Sequence, residues 1–136
     1  MQLHPYCFSY AILDKDQNKI VEFDAKVLGQ PLGKFSQADS IAIWFGDHQQ
    51  VLSLPFKNSK VAVYSPEFTV LPDKTEKPSE VFRLLGFSQN ESLTYLKNKI
   101  GDNFYVYYSL PDKLINYVEN NLVNAEFYCC DFGLLN

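Results

Sequence analysis

Two stretches that end in or contain proline constrain the fold of this chain more than any other feature. The first is Lys60 to Pro72, KVAVYSPEFTVLP, and the second is Phe104 to Leu114, FYVYYSLPDKL. Each is a run of β-branched and aromatic residues that favours a strand, and the second leads directly into a helical pattern. Strands that alternate with helices indicate a mixed α/β fold built around a sheet. Neither stretch carries a catalytic group, so the pattern informs fold more than chemistry.

Length and charge narrow the class of protein. The 136 residues are the length of one ordinary domain, and we expect a single domain over 1–136. An apolar fraction of 46% argues against disorder. The net charge is −4, and Arg83 is the single arginine. Because phosphate contacts require Lys and Arg, this composition argues against nucleic-acid binding.

Cysteine usage and the N-terminus bear on location. The sequence has no apolar window long enough for a membrane span. We expect no signal peptide, because the N-terminal residues show no basic n-region and no small-residue cleavage site. Its three cysteines are an odd number, Cys129 and Cys130 are adjacent, and no CxxC pair is present. This usage is typical of buried thiols in a reducing compartment. We therefore expect a cytoplasmic protein with no metal site and no cofactor.

The N-terminal part predicts a β-hairpin. Tyr6 to Leu13 alternates apolar residues, DKDQNK follows as a polar turn, and Ile20 to Phe23 resumes as a strand. Asp14 and Asp16 could ligate a hard cation. The segment lacks the Gly and the distal Glu of a calcium loop, so we interpret both residues as turn formers.

Helices are predicted at three places. Apolar residues at helical spacing indicate a helix over roughly 37 to 50, capped by Ser36 or Asp39. Pro78 suits the first turn of a second helix, and Pro111 is expected at the first position of a third.

The segment 88 to 100 allows two interpretations. Ser88 and Glu91 have the spacing of a capping box, which favours a helix. In contrast, IGDNF at Ile100 to Phe104 resembles a hairpin turn that would join a strand at Leu93 to Leu96 to the second aromatic stretch. We favour the hairpin.

The end of the sequence is unusually apolar. Glu126 to Leu135, EFYCCDFGLL, predicts a buried strand, and an exposed segment of this kind needs a cover. We expect the chain to be half of a larger protein or to dimerise here, with its own C-terminal subdomain, a second copy or another protein as partner. The aromatic strand 104 to 108 is the other expected contact surface. The predicted contact residues are Tyr105, Tyr107, Phe127, Tyr128, Phe132, Leu134 and Leu135.

A family resemblance rests on four segments. They are Phe8 to Leu13, Asn18 to Ile20, Phe68 to Pro72, and Val106 to Pro111 with the helix after it. In these segments the chain resembles the N-terminal half of an uncharacterised Bacteroidota family with an actin/hexokinase/Hsp70-like ATPase superfold. The resemblance implies an RNase H-like subdomain with a mixed sheet, an N-terminal β-hairpin and about three helices. Members of that family run about twice this length, which implies a partner subdomain outside this chain.

The same resemblance implies where a nucleotide would bind. Actin-like ATPases hold it between two subdomains, with an Asp and a following Gly at the turn of the first hairpin. The equivalent place here reads Leu3-His4-Pro5-Tyr6-Cys7, which has neither residue, and Pro5 lacks a backbone donor. No P-loop or GxGxxG substitutes for it. We predict a non-enzymatic, degenerate actin-like domain that acts as a protein–protein scaffold. The alternative is an ATP-binding subdomain whose phosphate-binding residues lie largely outside this chain.

Three other features could carry chemistry. His48 follows a predicted helix end, where an imidazole interacts favourably with the helix dipole, and has no nucleophile near it in sequence. A cysteine nucleophile would need one of the two histidines beside it. Trp44 and the tyrosines could line a small-molecule pocket, although ordinary core packing explains the rings more simply.

Overall fold

The computed structural model describes residues 1–27, 36–89 and 91–130, without the side chains of 36–38. Within these ranges the chain forms two sheets and four helices. The strands are β1 Gln2–His4, β2 Cys7–Asp14, β3 Lys19–Val27, β4 Ser59–Val63, β5 Phe68–Pro72, β6 Leu93–Ile100, β7 Phe104–Pro111 and β8 Ala125–Cys129, and the helices are α1 Ser36–Asp47, α2 Gln49–Leu52, α3 Pro78–Leu84 and α4 Asp112–Asn121.

The first sheet has the strand order β3-β2-β1-β4-β8. β2 runs antiparallel to its two neighbours β1 and β3, whereas β1, β4 and β8 are parallel. The predicted N-terminal hairpin is therefore confirmed as β2 and β3. The sheet is mixed, as expected for the predicted α/β fold.

The hairpin turn confirms that Asp14 is a turn former. Oδ1 of Asp14 accepts the backbone N–H groups of Asp16 at 2.9 Å and Gln17 at 3.1 Å. Asn18 takes the left-handed conformation, with φ of 49°, which asparagine tolerates better than most residues. The side chain of Asp14 is thus used in shaping the turn.

The second sheet is antiparallel, with β7 between β5 and β6. The turn between Ile100 and Phe104 joins β6 to β7, so the hairpin interpretation is confirmed and the capping-box alternative is wrong. Ser88, the proposed cap, instead donates its N–H and O–H to Oε1 of Glu67 at 3.0 and 2.6 Å. The acceptor for Ser88 is thus Glu67, which is distant in sequence, and not the nearby Glu91 of a capping box.

The helices differ from the predictions in two details. Pro78 is the first residue of α3, as predicted, but Pro111 ends β7 and is the N-cap of α4 rather than its first residue. Its ψ of 135° is extended, because the ladder with β6 continues through it. The four-residue α2 brings the number of helices in the described ranges to four instead of about three.

The core lies between the first sheet, α1, α4 and the inner face of the second sheet. Trp44 of α1 is its largest member, with 1% of its surface exposed, and packs against Phe8 at a ring-centroid distance of 5.7 Å. Burying one such side chain contributes about 1.5–3 kcal/mol to folding. The other members are Leu3, Tyr10, Ile41, Phe45, Leu52, Val61, Val63, Val106, Tyr108, Leu110, Leu114, Ile115, Val118, Leu122 and Cys129.

The N-terminus belongs to this core. The sequence indicated no strand before Tyr6, yet Leu3 is fully buried in β1, between β2 and β4. A three-residue strand beside a proline is too short for a periodicity argument. None of the helices in the described ranges has the length and apolar character needed to cross a membrane.

Candidate functional site

The three parallel strands of the first sheet end at one edge. Tyr64 follows β4 and donates its N–H to the carbonyl of Leu3 at 3.1 Å, and Cys130 follows β8 and donates to Val63 at 2.8 Å. In open α/β sheets, ligands bind outside the carboxyl ends of the strands. This edge, which includes the turn after β1, is therefore the first place to look for a site.

The turn after β1 is a poor phosphate cradle. His4 pairs with Cys7, so Pro5 and Tyr6 form a two-residue turn. Pro5 has no N–H, and the N–H of Tyr6 donates to Nδ1 of His4 at 3.2 Å. Phosphate is bound by oriented backbone N–H groups. Because Pro5 lacks an N–H and the N–H of Tyr6 already donates to His4, this turn does not favour an anion.

Three rings cover this edge, and we call His4, Tyr6 and Tyr64 the strand-end aromatic cluster. His4 stacks on Tyr6 with centroids 5.6 Å apart and meets Tyr64 edge-on at 5.1 Å. Tyr6 is 54% exposed, whereas the other two rings are half-buried. Aromatic surface, chiefly that of Tyr6, is therefore exposed at this edge.

Glu67, four residues beyond the end of β4, has a structural role, because both of its carboxylate oxygens accept hydrogen bonds. Oε1 binds Ser88, and Oε2 accepts the hydroxyls of Tyr95 at 3.1 Å and Ser109 at 3.2 Å. Burial, together with the charge and the hydrogen bond of Glu67, raises the pKa of Tyr95 to about 12. This carboxylate fastens the segment after α3 to the second sheet.

His48 lies in a polar groove between α1 and β3. Its Nδ1 donates to the carbonyl of Trp44 at 2.9 Å, and its Nε2 lies 2.5 Å from Oδ2 of Asp24. The carbonyl of Trp44 raises the pKa of His48, and Asp24 adds to that effect. The predicted favourable position at a helix end is confirmed. The groove also holds Tyr10, whose hydroxyl donates to Glu22 at 3.0 Å.

The contacts of His48 suit a structural role, joining α1 to β3, better than a catalytic role. The carboxylate of Asp24 pairs with the imidazole of His48. Tyr10, another titratable residue of the groove, is only 5% exposed. In the described part of the chain, no group of three or more His, Cys, Asp or Glu side chains could hold a metal ion.

The predicted contact residues fall on different surfaces. Tyr105 and Tyr107 share the outer face of the second sheet, where Tyr107 packs on Phe82 at 5.4 Å and Nζ of Lys97 lies 4.9 Å from the ring of Tyr105. In the first sheet, Phe127 packs against the core, and Tyr128 lies on the opposite face. Phe132, Leu134 and Leu135 lie outside the described residues. The structure thus places Tyr105 and Tyr107 on one face of the second sheet, and it places Phe127 and Tyr128 on opposite faces of the first sheet.

Sequence reasoning overlooked an exposed apolar strip on β3. Phe23 is 66% exposed and Val27 is 80% exposed, on the face of the first sheet that also carries Tyr128. The alternation of Phe23, Ala25 and Val27 with Glu22, Asp24 and Lys26 was the available signal. Trp44 is core, which confirms the simpler interpretation of that ring.

The arrangement of both sheets and the helices matches a solved structure. It is a protein from Bacteroides thetaiotaomicron described as having an actin-like ATPase fold and unknown function, with a TM-score of 0.70 and 17% sequence identity. The match covers 94% of this chain and 49% of that one, so the chain spans about half the length of that protein. The likeness confirms the predicted mixed α/β, actin-type fold.

Two sequence comparisons bear on the family. No curated protein is significantly similar to the chain. The family model described as "Protein of unknown function (DUF3822)" matches residues 1–136. The match extends over the whole described fold, including the aromatic strand-end edge and the His48 groove. The chain therefore belongs to the DUF3822 family.

Proposed function

We propose that this chain is the first subdomain of a two-subdomain actin-like protein that works through protein–protein contact and not through nucleotide turnover. The observation that carries the proposal is the β1–β2 turn. Pro5 offers no N–H, the N–H of Tyr6 is bonded to His4, and the rings of His4, Tyr6 and Tyr64 cover the turn. The resemblance to actin-like ATPases implies that a phosphate would bind at this turn.

The chemistry of the turn supports this reading. Nucleotide phosphates need backbone donors and a carboxylate that holds Mg²⁺. The turn residues are Pro5 and Tyr6, flanked by His4 and Cys7, and none of the four is a carboxylate or a glycine. Glu67, the carboxylate that follows β4, accepts hydrogen bonds from Ser88, Tyr95 and Ser109.

The proposed contact surface has two parts. One is the outer aromatic face of the second sheet at Tyr105 and Tyr107. The other is the C-terminal strand around Phe127 and Tyr128, continuing into the segment with Phe132, Leu134 and Leu135. Because the similar solved protein is about twice as long, the first partner to test is the chain's own second half. A second copy or another protein is the alternative, and we place the protein in the cytoplasm.

Co-expression with the remainder of the gene product tests the proposal. The two halves should co-elute as one complex in size-exclusion chromatography. Tyr105→Ser and Tyr128→Asp should weaken that complex by tenfold or more in a titration, since central aromatic residues carry about 2 kcal/mol or more of contact energy. Lys74→Asp, in an exposed loop of the second sheet, is the matched control. Halves that do not associate, with a chain that stays monomeric and binds no other protein, would sink the proposal.

The fold itself favours a second candidate. An actin-like chain that covers half of its structural neighbour could be an ATP-binding subdomain whose phosphate-binding residues lie in the other half. A downstream Asp-x-Gly and a Gly-Gly segment in the rest of the gene would support that function. Calorimetry with Mg-ATP on the longest gene product separates the two candidates.

A further inference from the structure

β3 is the first strand in the order of the first sheet, and within the described ranges its outer side pairs with no strand. It is also the longest of the described strands, with nine residues at Lys19–Val27. A bulge where Ile12 and Leu13 of β2 pair with it interrupts the ladder, so the regular part of β3 is Glu22–Val27. This part contains no proline, a residue that commonly keeps an edge strand from pairing.

The ladder pattern shows which backbone groups of β3 point outward. Residues of an antiparallel strand bond alternately to the strands on its two sides. The carbonyl of Leu3 in β1 accepts the N–H of Tyr64, so Leu3 bonds to β4 and its neighbours in β1 bond to β2. The same alternation leaves Phe8 and Tyr10 of β2 to bond to β3. The residues of β3 that alternate with their partners therefore direct N–H and C=O groups away from the sheet, and they are Phe23, Ala25 and Val27.

A side chain binds one of these outward donors. The N–H of Ala25 donates to Oδ1 of Asp24 at 2.9 Å and not to a strand. Oδ2 of the same carboxylate lies 2.5 Å from Nε2 of His48. Asp24 thus satisfies locally a donor that a further strand would otherwise take. The contact is independent evidence that the backbone of Ala25 points outward.

The side chains of this segment form a charged face and an apolar face. Asp24 and Lys26 lie on the face of the sheet that packs on α1, and among the described residues no carboxylate forms an ion pair with Lys26. On the opposite face, Phe23 is 66% exposed and Val27 is 80% exposed. Charges of opposite sign thus lie on either side of Ala25 on one face, and large apolar side chains lie on either side of it on the other.

We propose that a second copy of this chain pairs antiparallel with β3, about a twofold axis at Ala25. In this register Ala25 lies opposite Ala25 of the second copy, Phe23 lies opposite Val27, and Asp24 lies opposite Lys26. Every outward N–H and C=O group of Phe23, Ala25 and Val27 then has a partner in the other copy. The two five-stranded sheets become one continuous sheet.

The charge pattern selects this register. Moving the axis to Asp24 or to Lys26 places like charges directly opposite each other, and moving it to Phe23 places Glu22 opposite Asp24, which is unfavourable. With the axis at Ala25, both Asp24–Lys26 pairs have opposite charges. The N–H of Ala25 also enters the new ladder, which releases Oδ1 of Asp24 to accept the ammonium group of Lys26. The segment is therefore complementary to itself, which favours a second copy over an unrelated strand.

This surface is separate from the contact surfaces of the proposed function. β3 and β8 are the first and last strands in the order of the first sheet, and Tyr105 belongs to the second sheet. Tyr105→Ser and Tyr128→Asp should therefore leave pairing through β3 unchanged. Failure of one proposal can thus be told from failure of the other.

Sedimentation equilibrium and hydrogen exchange of the full chain test the proposal. We expect a concentration-dependent equilibrium between monomer and dimer. At concentrations where the dimer forms, the amides of Phe23, Ala25 and Val27 should exchange about tenfold more slowly, because they enter a ladder. The amides of Asp24 and Lys26 already bond to β2 and should change little. NMR resolves these amides individually and so reports the register.

Four variants make the test specific. Ala25→Pro removes an outward donor without removing a bond to β2, so it should abolish the dimer and leave the monomer folded. Lys26→Glu and Asp24→Lys each place like charges opposite each other and should weaken their own dimers about tenfold. An equimolar mixture of these two charge variants should associate more tightly than either alone, because both cross-strand pairs regain opposite charges. Lys19→Glu, on the same strand outside the paired segment, is the matched control and should leave the dimer unchanged.

Three results would each overturn the proposal. They are a chain that stays monomeric at millimolar concentration, a dimer that Lys26→Glu leaves at full strength, and charge variants that associate no better in the mixture than alone. If Ala25→Pro does not fold, the charge variants decide, since their substitutions leave the backbone donors of β3 in place.

Discussion

The side-chain amide of Asn98 donates a hydrogen bond to the backbone carbonyl of Phe127 at 2.8 Å. Its oxygen also accepts the N–H of Cys129 at 3.3 Å. Among the described strands, β8 is the last in the order of the first sheet, and no described strand pairs with its outer backbone groups. One side chain of β6 pairs with two of these groups and fixes the second sheet against the first.

Replacing Asn98 should therefore destabilise the whole chain. We expect Asn98→Ala to lower the free energy of unfolding by about 1–3 kcal/mol, the cost of leaving partly buried backbone groups unsatisfied. Asn98→Asp is nearly isosteric but loses the donor to Phe127, and should be nearly as damaging. Urea unfolding measures both. The control is Asn121→Ala, whose amide also donates to a backbone carbonyl but is exposed, and should change stability by less than about 0.5 kcal/mol.

The His48–Asp24 pair should make stability depend on pH. The pKa of His48 is raised from 6.5 in the fold, first by the Trp44 carbonyl, so folding favours the protonated ring. Its contribution is fully present below about pH 6.5 and is lost as pH rises through the raised folded value. Relative to His48→Gln, the wild type should lose up to about 1 kcal/mol over that window.

Chemical unfolding of both proteins at a series of pH values measures this difference. Asp24→Asn should shrink the effect, because it removes the charged acceptor. A difference between wild type and His48→Gln that stays constant across the window would contradict the assignment.

Removing the charge of Glu67 should lower the pKa of Tyr95. Burial, which is the largest cause of the raised value of about 12, remains in Glu67→Gln, but the carboxylate charge disappears. The pKa of Tyr95 should therefore fall and still stay above 10. NMR titration of the Tyr95 ring follows it directly, with Tyr128 as an internal reference because its neighbour is Glu126. An unchanged Tyr95 pKa would show that the carboxylate has no electrostatic effect there.

Two leucines on helices should respond very differently to truncation. Leu114 of α4 is 1% exposed in the core, and Leu114→Ala should cost about 2–5 kcal/mol of unfolding free energy. Leu84 of α3 is 83% exposed, and Leu84→Ala should stay within about 0.5 kcal/mol of wild type. Equal losses would mean that α4 does not pack as described, and thermal or urea unfolding decides the matter.

Local patterns in the sequence predicted most of the fold. Turn chemistry located both hairpins, since Asp14 shapes one turn and Gly101, with φ of 58°, lies in the other. The capping-box spacing of Ser88 was misleading because its partner, Glu67, is 21 residues away. β1 escaped notice because three residues show no period. It forms because neighbours on both sides pair with it.

The candidate site was less accessible to sequence reasoning. The sequence around Pro5 already shows that the Asp-Gly is missing. The edge-on contact of His4 with Tyr64, in contrast, depends on the parallel pairing of β1 and β4, which are 60 residues apart. The pairing of His48 with Asp24 likewise requires α1 to lie beside the edge strand. Contacts of this range follow from topology, and periodicity does not reveal them.

The measurement that tests the account most directly is calorimetric titration of Mg-ATP into the longest product of this gene. The account predicts no heat of binding up to millimolar nucleotide, because the β1–β2 turn at Pro5 and Tyr6 offers neither the donors nor the carboxylate that phosphates and Mg²⁺ require. Saturable binding at micromolar affinity would contradict it, and would assign the chain to an ATP-binding protein whose phosphate-binding residues lie in the second half.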